Sequence, residues 1–183
     1  MTICIFPGTF NPIHEGHLKM AQYALKKYNF EKIIFIPSHL PPHKEIHSGL
    51  AQHRYKMVEL AIKNNPKFEI SDIEYQSEGK SYSLITVKKI IEQYDIKNRL
   101  NFIIGTDAFA KIDTWYKANE LKELVHFIVF PRKGDSIENL TDWDYEITDM
   151  EMVDISSTSI RNGKTNDIIN VEGYIKNNGL YKI

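Results

Sequence analysis

Short apolar runs alternate with amphipathic stretches along most of this chain. The runs are rich in Ile, Val and Phe and contain few polar residues, which is typical of strands buried on both faces of a sheet. They are Ile3–Phe6, Ile33–Pro37, Phe68–Ile70, Leu100–Gly105 and Phe127–Pro131. Their alternation with helical stretches predicts an α/β fold with an open parallel sheet and helices on both faces.

The stretches between the runs place apolar residues on one face at helical spacing. These faces are Leu18, Ala21, Leu25 and Tyr28, then Met57, Leu60 and Ala61, then Leu84, Val87 and Ile91. The tail from Asp167 to Tyr181 predicts a closing helix that is stopped by Asn178-Gly179. The polar, acid-leaning stretch Lys133–Asp149 predicts a surface connection.

Composition narrows the class of protein. The chain has 183 residues, of which 42% are hydrophobic and 26% are charged, so we expect one soluble domain, 1–183, with a substantial core. A formal net charge of -1 provides no general attraction to nucleic acid or to an anionic membrane. The single cysteine, Cys4, lies in an apolar run and is expected in the core. No run reaches the ~20 apolar residues of a membrane span, so we expect a cytoplasmic protein.

The stretch FPGTFNPIHEGH, residues 6–17, follows the first apolar run. It contains more prolines, glycines and histidines than a simple turn from strand to helix requires, which indicates a backbone shaped around a ligand. It also lies at the carboxyl end of a strand and opens a helix. Open α/β sheets bind ligands at this edge, and the free N–H groups of a helix start attract phosphate.

Two histidines at this helix start are candidates for phosphate chemistry. The imidazoles of His14 and His17 could donate hydrogen bonds to phosphate oxygens as negative charge develops on them. Gly8 allows close approach of the backbone, Thr9 offers a hydroxyl, and Gly16 lets the chain turn between the imidazoles. Taken alone, the pair would also fit a zinc site, which needs a third ligand, or a surface position without function.

A second candidate phosphate site is ISSTSIR, residues 155–161. A Ser/Ser/Thr cluster that opens a short helix presents N–H groups and hydroxyls, and Arg161 adds a forked cation one turn later. Taken alone, this stretch would equally fit an ordinary capped helix.

Together, the two stretches resemble a known enzyme superfamily. Gly8-Thr9-Phe10-Asn11-Pro12-x-His14-x-Gly16-His17 resembles the signature of the HxGH nucleotidyltransferases, and Ile155–Arg161 is similar to the I-S-S-T-x-I-R signature of small adenylyltransferases. Three further stretches resemble bacterial nicotinate mononucleotide adenylyltransferases, and all five occur in that family's order. They are Pro37–Lys44 with the following Arg54-x-x-Met57, then Ser81-Tyr82-Ser83, then Ile104-Gly105-Thr106-Asp107 with Trp115-Tyr116.

The resemblance implies a Rossmann-like nucleotidyltransferase fold and adenylyl transfer from ATP to nicotinate mononucleotide, which gives deamido-NAD and pyrophosphate. It implies that His14, His17 and Arg161 are catalytic. The implied ATP site consists of these three residues with Gly8, Thr9, Phe10, Gly105, Asp107, Ser156, Ser157 and Thr158. The implied mononucleotide site consists of Thr9, Asn11, Lys44, Tyr82, Ser83, Trp115 and Tyr116. Mg²⁺ would enter with ATP, because the motifs supply no dedicated carboxylate cage. The expected partners are these two small molecules, with no nucleic acid and no membrane, and the chain is compatible with a homo-oligomer.

Three residues depart from the family pattern. Pro7 stands where the family often has Gly, which leaves the local loop geometry open. Asn11 replaces Asp and Ser83 replaces Thr, and since both keep an oxygen we expect modest effects.

Three other functions fit the motifs less well. Phosphopantetheine adenylyltransferases share both phosphate motifs but not the Pro-Pro-His-Lys loop or the region of Trp115. A cytidylyltransferase would have a different second signature. A non-catalytic nucleotide sensor would not need both histidines and Arg161.

Overall fold

Six strands form one parallel sheet in the computed structural model, which describes residues 2–42, 50–132, 142–150, 155–163 and 170–181. The strands are β1 (Ile3–Gly8), β2 (Lys32–Pro37), β3 (Phe68–Ile70), β4 (Leu100–Gly105), β5 (Val125–Phe130) and β6 (Tyr145–Ile147). Their order across the sheet is β3-β2-β1-β4-β5-β6. The chain therefore runs outward from β1 to β3, returns to the other side of β1, and then runs outward again.

Helices connect the strands and cover both faces of the sheet. They are α1 (Glu15–Lys27), α2 (Ala51–Ile62), α3 (Ser83–Gln93), α4 (Thr106–Phe109), α5 (Ala118–Lys122), α6 (Ser157–Arg161) and α7 (Glu172–Asn177), with short 3₁₀ helices at Ile73–Tyr75 and Ile112–Thr114. Within the described ranges, no helix is long and apolar enough to cross a membrane. The cytoplasmic location stays a prediction.

The core consists of two buried clusters, one on each face of the sheet. Successive side chains of a strand point to opposite faces, so Cys4 and Phe6 join one cluster while Ile3 and Ile5 join the other. Helices α1, α2, α6 and α7 contribute to the first cluster, and α3, α4 and α5 contribute to the second. Cys4 is fully buried as expected, and burial raises the pKa of its thiol. The predicted α/β architecture is confirmed.

The five predicted strands are confirmed with small changes at their ends. β1 continues through Gly8, and β5 begins at Val125 and ends at Phe130. The interpretation of Lys133–Asp149 as a surface connection is wrong for Tyr145–Ile147, which form β6, whereas residues 133–141 lie outside the described ranges. β6 lies at the edge of the sheet, and none of its three residues is fully buried. It therefore lacks the apolar run that marks the other strands.

The closing helix is shorter, in the described residues, than the predicted range Asp167–Tyr181. Helix α7 is followed by Asn178 and then by Gly179, which has a φ of 60°. The N–H of Leu180 donates to the carbonyl of Ile175 at 3.0 Å, as in a glycine-terminated helix. The predicted stop is confirmed, whereas residues 164–169 lie outside the described ranges.

Strand β1 lies where the strand order reverses, and this sets the position of the site. It pairs with β2 along its whole length, from Ile3↔Lys32 to Gly8↔Pro37. Its pairing with β4 is limited to Cys4↔Asn101 and Ile5↔Phe102. Connections leave β1 and β4 toward opposite sides, so a crevice opens beyond the carboxyl ends of these two strands.

We expect Phe35→Ala to lower the free energy of unfolding by about 3–5 kcal/mol, because it removes a ring from the middle of a close-packed cluster. Phe35 is fully buried in β2, and its ring centroid lies 5.4 Å from that of Phe6 and 5.2 Å from that of Phe68. Urea denaturation measures the loss. The control is Ile85→Ala, at a residue that is 42% exposed on α3. Equal losses in the two variants would contradict the assignment of this core.

Candidate active site

The loop that follows β1, residues 9–14, is held by an aromatic anchor. Phe10 is 2% exposed, has a φ of 47°, and packs its ring against Phe6 and Phe35. A Cβ at Gly8 would lie 2.8 Å from this ring, so a larger residue there would displace Phe10. The Asn11-Pro12 peptide bond is cis. Phe10 borders the cavity described below, but its ring is directed into the core and holds the loop in place.

The two histidines cap helix α1 and orient each other. The Nδ1 atom of His14 accepts a hydrogen bond from the Gly16 N–H, and that of His17 accepts one from the His14 N–H, each at 3.1 Å. Their rings are stacked with centroids 3.8 Å apart. Because each Nδ1 is an acceptor, a neutral ring carries its proton on Nε2 and presents that atom as a donor. A donor at Nε2 is a group that could form a hydrogen bond to a phosphate oxygen.

Gly16 fits this arrangement because it has no side chain. A Cβ at this position would lie 2.9 Å from the ring of His14. The glycine between the two histidines therefore lets the imidazoles stack while the helix begins.

A cavity of about 730 Å³ lies beyond the carboxyl ends of β1 and β4, and we call it the first cavity. It is lined by every residue that the sequence analysis predicted for ATP. These are Gly8, Thr9, Phe10, His14, His17, Gly105, Asp107, Ser156, Ser157, Thr158 and Arg161. Residues from opposite ends of the chain therefore meet in one site.

Helix α6 is fastened to the loop after β1. The Arg161 guanidinium donates to the Asn11 carbonyl at 2.8 Å and to the Thr158 hydroxyl at 3.1 Å. The Ser157 hydroxyl donates to the Pro12 carbonyl at 2.9 Å, and the Ser156 side chain caps the helix by accepting from the Ser159 N–H at 3.0 Å. The two predicted phosphate motifs thus form one structural unit.

A third segment, after β4 and β5, completes the first cavity. The Asp107 carboxylate lies 3.6 Å from Arg132, and both side chains are more than half exposed. The backbone N–H of Arg132 donates to the Thr106 hydroxyl at 2.9 Å. Arg132 was not predicted from the sequence, where it is distinguished only by its position just beyond the apolar run Phe127–Pro131. It brings a second arginine to the wall of this cavity.

A second cavity, of about 580 Å³, adjoins the first. The two share a wall formed by Phe6, Pro7, Gly8, Thr9, Gly105, Asp107 and Ala108. Of the residues predicted for the mononucleotide, Thr9, Tyr82, Ser83, Trp115 and Tyr116 line the second cavity. Asn11 lines the first cavity instead, because its loop turns toward α6, and its Oδ1 atom accepts from the Tyr181 hydroxyl. Lys44 lies outside the described residues.

Aromatic rings form one side of the second cavity. Tyr82 and Tyr116 are stacked with centroids 4.5 Å apart, and Tyr116 is 42% exposed. Trp115 is half-buried, with its ring centroid 6.2 Å from that of Phe102. A flat ring from a ligand could stack on this surface.

Comparisons with known proteins place the chain in a family. Residues 5–163 match the model of the cytidylyltransferase-like family. The chain is 39% identical over 198 aligned residues to a protein of Caldicellulosiruptor bescii named "probable nicotinate-nucleotide adenylyltransferase", with all of both chains covered. It is 37% identical over 188 residues to the nicotinate-nucleotide adenylyltransferase of Bacillus subtilis, with 98% of each chain covered. The chain belongs to the nicotinate-nucleotide adenylyltransferase family.

A solved structure supports the fold. The nicotinic acid mononucleotide adenylyltransferase of Plasmodium falciparum, complexed with NaAD, matches with a TM-score of 0.75 over 94% of this chain and 95% of that chain. The two sequences are 20% identical, so this likeness concerns the fold alone.

The proline that departs from the adenylyltransferase family pattern fits the sheet. The Gly8 carbonyl accepts from the Ser38 N–H at 2.9 Å, so Gly8 bonds toward β2 and Pro7, one residue earlier, faces β4. Pairing between β1 and β4 already ends at Ile5↔Phe102. The missing N–H of Pro7 therefore removes no bond from the ladder, and Pro7 lines both cavities where the strands separate.

The sequence analysis missed a buried carboxyl group in this member of the family. Glu74 is 8% exposed and lines the second cavity. Its Oε2 atom accepts from the Thr86 hydroxyl at 2.8 Å, and the Ser81 side chain also bonds to it. Burial raises the pKa of Glu74 to about 7, although these hydrogen bonds and the charges of Arg54 and Lys89 act in the opposite direction. Nothing in the polar sequence around Glu74 signals its burial.

We expect Glu74→Gln to reduce the dependence of stability on pH. The pKa of Glu74 is raised from its ordinary value of 4.5 to about 7, so the folded state holds a proton there that the unfolded state has lost. The stabilising contribution is complete below the unfolded pKa and is lost as the pH rises through the folded pKa. From about pH 5 to about pH 8, wild type should lose up to roughly 3 kcal/mol relative to the variant.

Urea denaturation at several pH values measures this difference. The control is Glu31→Gln, at an exposed residue, which should follow the pH dependence of wild type. Parallel curves for wild type and Glu74→Gln would contradict the prediction.

Proposed function

We propose that this protein transfers the adenylyl group of ATP to nicotinate mononucleotide and releases pyrophosphate, a step of NAD biosynthesis. The product is nicotinic acid adenine dinucleotide, or deamido-NAD. One observation carries the proposal: a cavity rich in phosphate-binding groups and a cavity with an aromatic side share the wall around Gly8-Thr9 and Gly105-Asp107. Two substrates that fill these cavities would meet at that wall.

ATP would occupy the first cavity. His14 and His17, the start of α6 and the Arg161 guanidinium line this cavity and offer hydrogen bonds and positive charge to a triphosphate, with the Nε2 atom of His14 itself buried. Arg132 adds a further cation, and the Asp107 carboxylate could accept from ribose hydroxyls.

Nicotinate mononucleotide would occupy the second cavity, with its pyridine ring against Tyr82, Trp115 and Tyr116. Its phosphate would point to the shared wall at Thr9. We include Lys44 as a cation for this phosphate, on the basis of the family motif alone. The homo-oligomer and the absence of nucleic-acid and membrane partners stay predictions.

The reaction needs no covalent enzyme intermediate. An oxygen of the mononucleotide phosphate attacks the α-phosphorus of ATP, a new P–O bond forms, and the bond to the β-phosphate bridging oxygen breaks. Pyrophosphate leaves with that electron pair. The protein supplies alignment of the two phosphates and donors to the developing charge, which is how phosphoryl transfer is usually catalysed.

Mg²⁺ is proposed to enter bound to the triphosphate, where it would neutralise charge on the leaving pyrophosphate. Among the described residues, no group of three or more His, Cys, Asp or Glu side chains could hold a metal ion. Asp107 is the carboxylate at the first cavity, and it is paired with Arg132.

We expect His17→Asn to lower kcat by about 10²–10³, since one donor to the developing charge is lost. Asn places an acceptor near the position of Nδ1, so it can keep the bond from the His14 N–H while removing Nε2. His17→Gln is the matched variant, because its amide reaches the position of Nε2, and it should retain more activity. Steady-state pyrophosphate release measures both. A wild-type kcat for His17→Asn would refute the role of this histidine.

The assay that tests the function is pyrophosphate release from ATP with a panel of acceptors. The panel contains nicotinate mononucleotide, nicotinamide mononucleotide and 4′-phosphopantetheine. We expect kcat/KM for nicotinate mononucleotide (the acid) to exceed that for nicotinamide mononucleotide (the amide) by about ten- to hundred-fold. A hydrogen-bond donor of the site that is left facing the NH₂ group of the amide costs roughly 1–3 kcal/mol. The backbone N–H of Trp115 is already bonded to the Ile112 carbonyl at 3.1 Å. The Ser83 hydroxyl is therefore the better candidate donor to the carboxylate of the nicotinate ring.

Two variants sharpen this test. Ser83→Ala should narrow the gap between acid and amide, whereas Ser83→Thr keeps the hydroxyl and should preserve it. Equal kcat/KM values for acid and amide in wild type would refute the proposed specificity. Preference for 4′-phosphopantetheine would refute the proposed substrate.

A further inference from the structure

The ladder between β1 and β2 ends where the two cavities begin. Its last hydrogen bond runs from the Ser38 N–H to the Gly8 carbonyl at 2.9 Å. Beyond this bond, the chain after β1 turns toward α1, and the chain after β2 runs toward the segment at Ser81. Strand pairing therefore does not hold the next carbonyls, those of Thr9, Ser38 and His39.

One buried side chain bonds to all three of these carbonyls. Arg54 lies on α2 and is 0% exposed. Its Nη1 atom donates to the Thr9 carbonyl at 2.8 Å and to the Ser38 carbonyl at 2.6 Å, and its Nη2 atom donates to the His39 carbonyl at 3.1 Å. The guanidinium thus links the segment after β1 to the segment after β2, just past the point where the ladder between the two strands stops.

The two segments joined by Arg54 form parts of both cavities. Thr9 belongs to the shared wall, and Ser38 lines the second cavity. The backbone carbonyl of Leu40, the residue after His39, accepts from the Ser81 N–H at 2.8 Å. This bond links the segment after β2 to the segment that carries Tyr82. Arg54 itself lines neither cavity, so it would act through these backbone segments.

The charge of Arg54 is costly where it lies. Burial lowers the pKa of this guanidinium, and the nearby Glu74 and Tyr75 act in the opposite direction. Buried charged groups are often replaced by apolar residues of similar size without loss of stability. The geometry gives a reason for an arginine here. Three carbonyls on two separate segments, one after β1 and one after β2, require a planar, forked donor that lysine cannot match.

We infer that Arg54 is a positioning residue that fixes the loop after β1 against the loop after β2, and so aligns the acceptor phosphate with ATP. The inference rests on the proposed function. It makes Arg54 important for the reaction between two bound substrates and much less so for the binding of either one.

The experiment compares Arg54→Lys and Arg54→Gln with a matched control. Arg99 is also an arginine that donates to a backbone carbonyl, that of Val125 at 3.2 Å, but it lies at the opposite end of β4 and β5. Arg99→Lys and Arg99→Gln are therefore the controls. For each protein, calorimetry gives the Kd of ATP alone and of nicotinate mononucleotide alone. Pyrophosphate release at saturating substrates gives kcat, at a temperature well below each variant's unfolding transition.

We expect both Arg54 variants to lose about 10- to 100-fold in kcat, since misplacing reacting groups by about 1 Å has an effect of this size. Both Kd values should stay close to wild type, and Arg54→Lys should lose less than Arg54→Gln. The Arg99 variants should keep the wild-type kcat.

Three results would overturn the inference. The first is a wild-type kcat in Arg54→Lys and Arg54→Gln. The second is a rise in the Kd of one substrate that is large enough to account for the lost kcat/KM, since Arg54 would then contribute to the binding of that substrate and not to the alignment of the two. The third is failure of both Arg54 variants to fold while the Arg99 variants fold, since Arg54 would then serve the fold. Absence of pyrophosphate release in wild type would instead refute the proposed function.

Discussion

The site depends on how strand β1 is paired. It bonds to β2 along its whole length but to β4 through only two residues, although β4 continues to Gly105. The separation of β1 from β4 opens the crevice, and Pro7 lies in that part of β1, where it has no N–H to offer to a neighbour. The residues that line the two cavities are then brought to this gap largely by the loops that follow the strands.

The loops are held mainly by side chains that bond to backbone atoms. Arg161 and Ser157 bond to the carbonyls of Asn11 and Pro12, and each histidine accepts from a backbone N–H at the start of α1. Such bonds satisfy polar groups that strand and helix ends leave unpaired. They also fix the direction of the same side chains, so the groups that stabilise the loops are the groups that face the first cavity.

The first cavity could be predicted from the sequence far better than the second. Most of the residues predicted for it occur in two short motifs that open helices, and free N–H groups at helix starts favour phosphate. The burial of Arg54 and Glu74 is a tertiary property, because it depends on which loops fold over them, and no local pattern indicates it. Asn11, which the sequence predicts for the mononucleotide, lines the first cavity, because the turn at Phe10, with its positive φ, redirects the loop; its role stays a prediction. The edge strand β6 has no apolar run to find.

This difference corresponds to what each cavity would recognise under the proposed function. A triphosphate presents a large charge, and helix starts with a few forked or imidazole donors can bind it on many sequences. A mononucleotide that differs from its amide analogue by one group requires donors and rings at fixed positions. The second cavity is lined by the buried Glu74 carboxyl, and the buried Arg54 guanidinium bonds to the carbonyls of Ser38 and Thr9 in its lining. The charge of Arg54 is costly to bury, and burial favours the neutral form of Glu74, so their placement beside these loops is better explained by alignment of the loops than by stability of the fold.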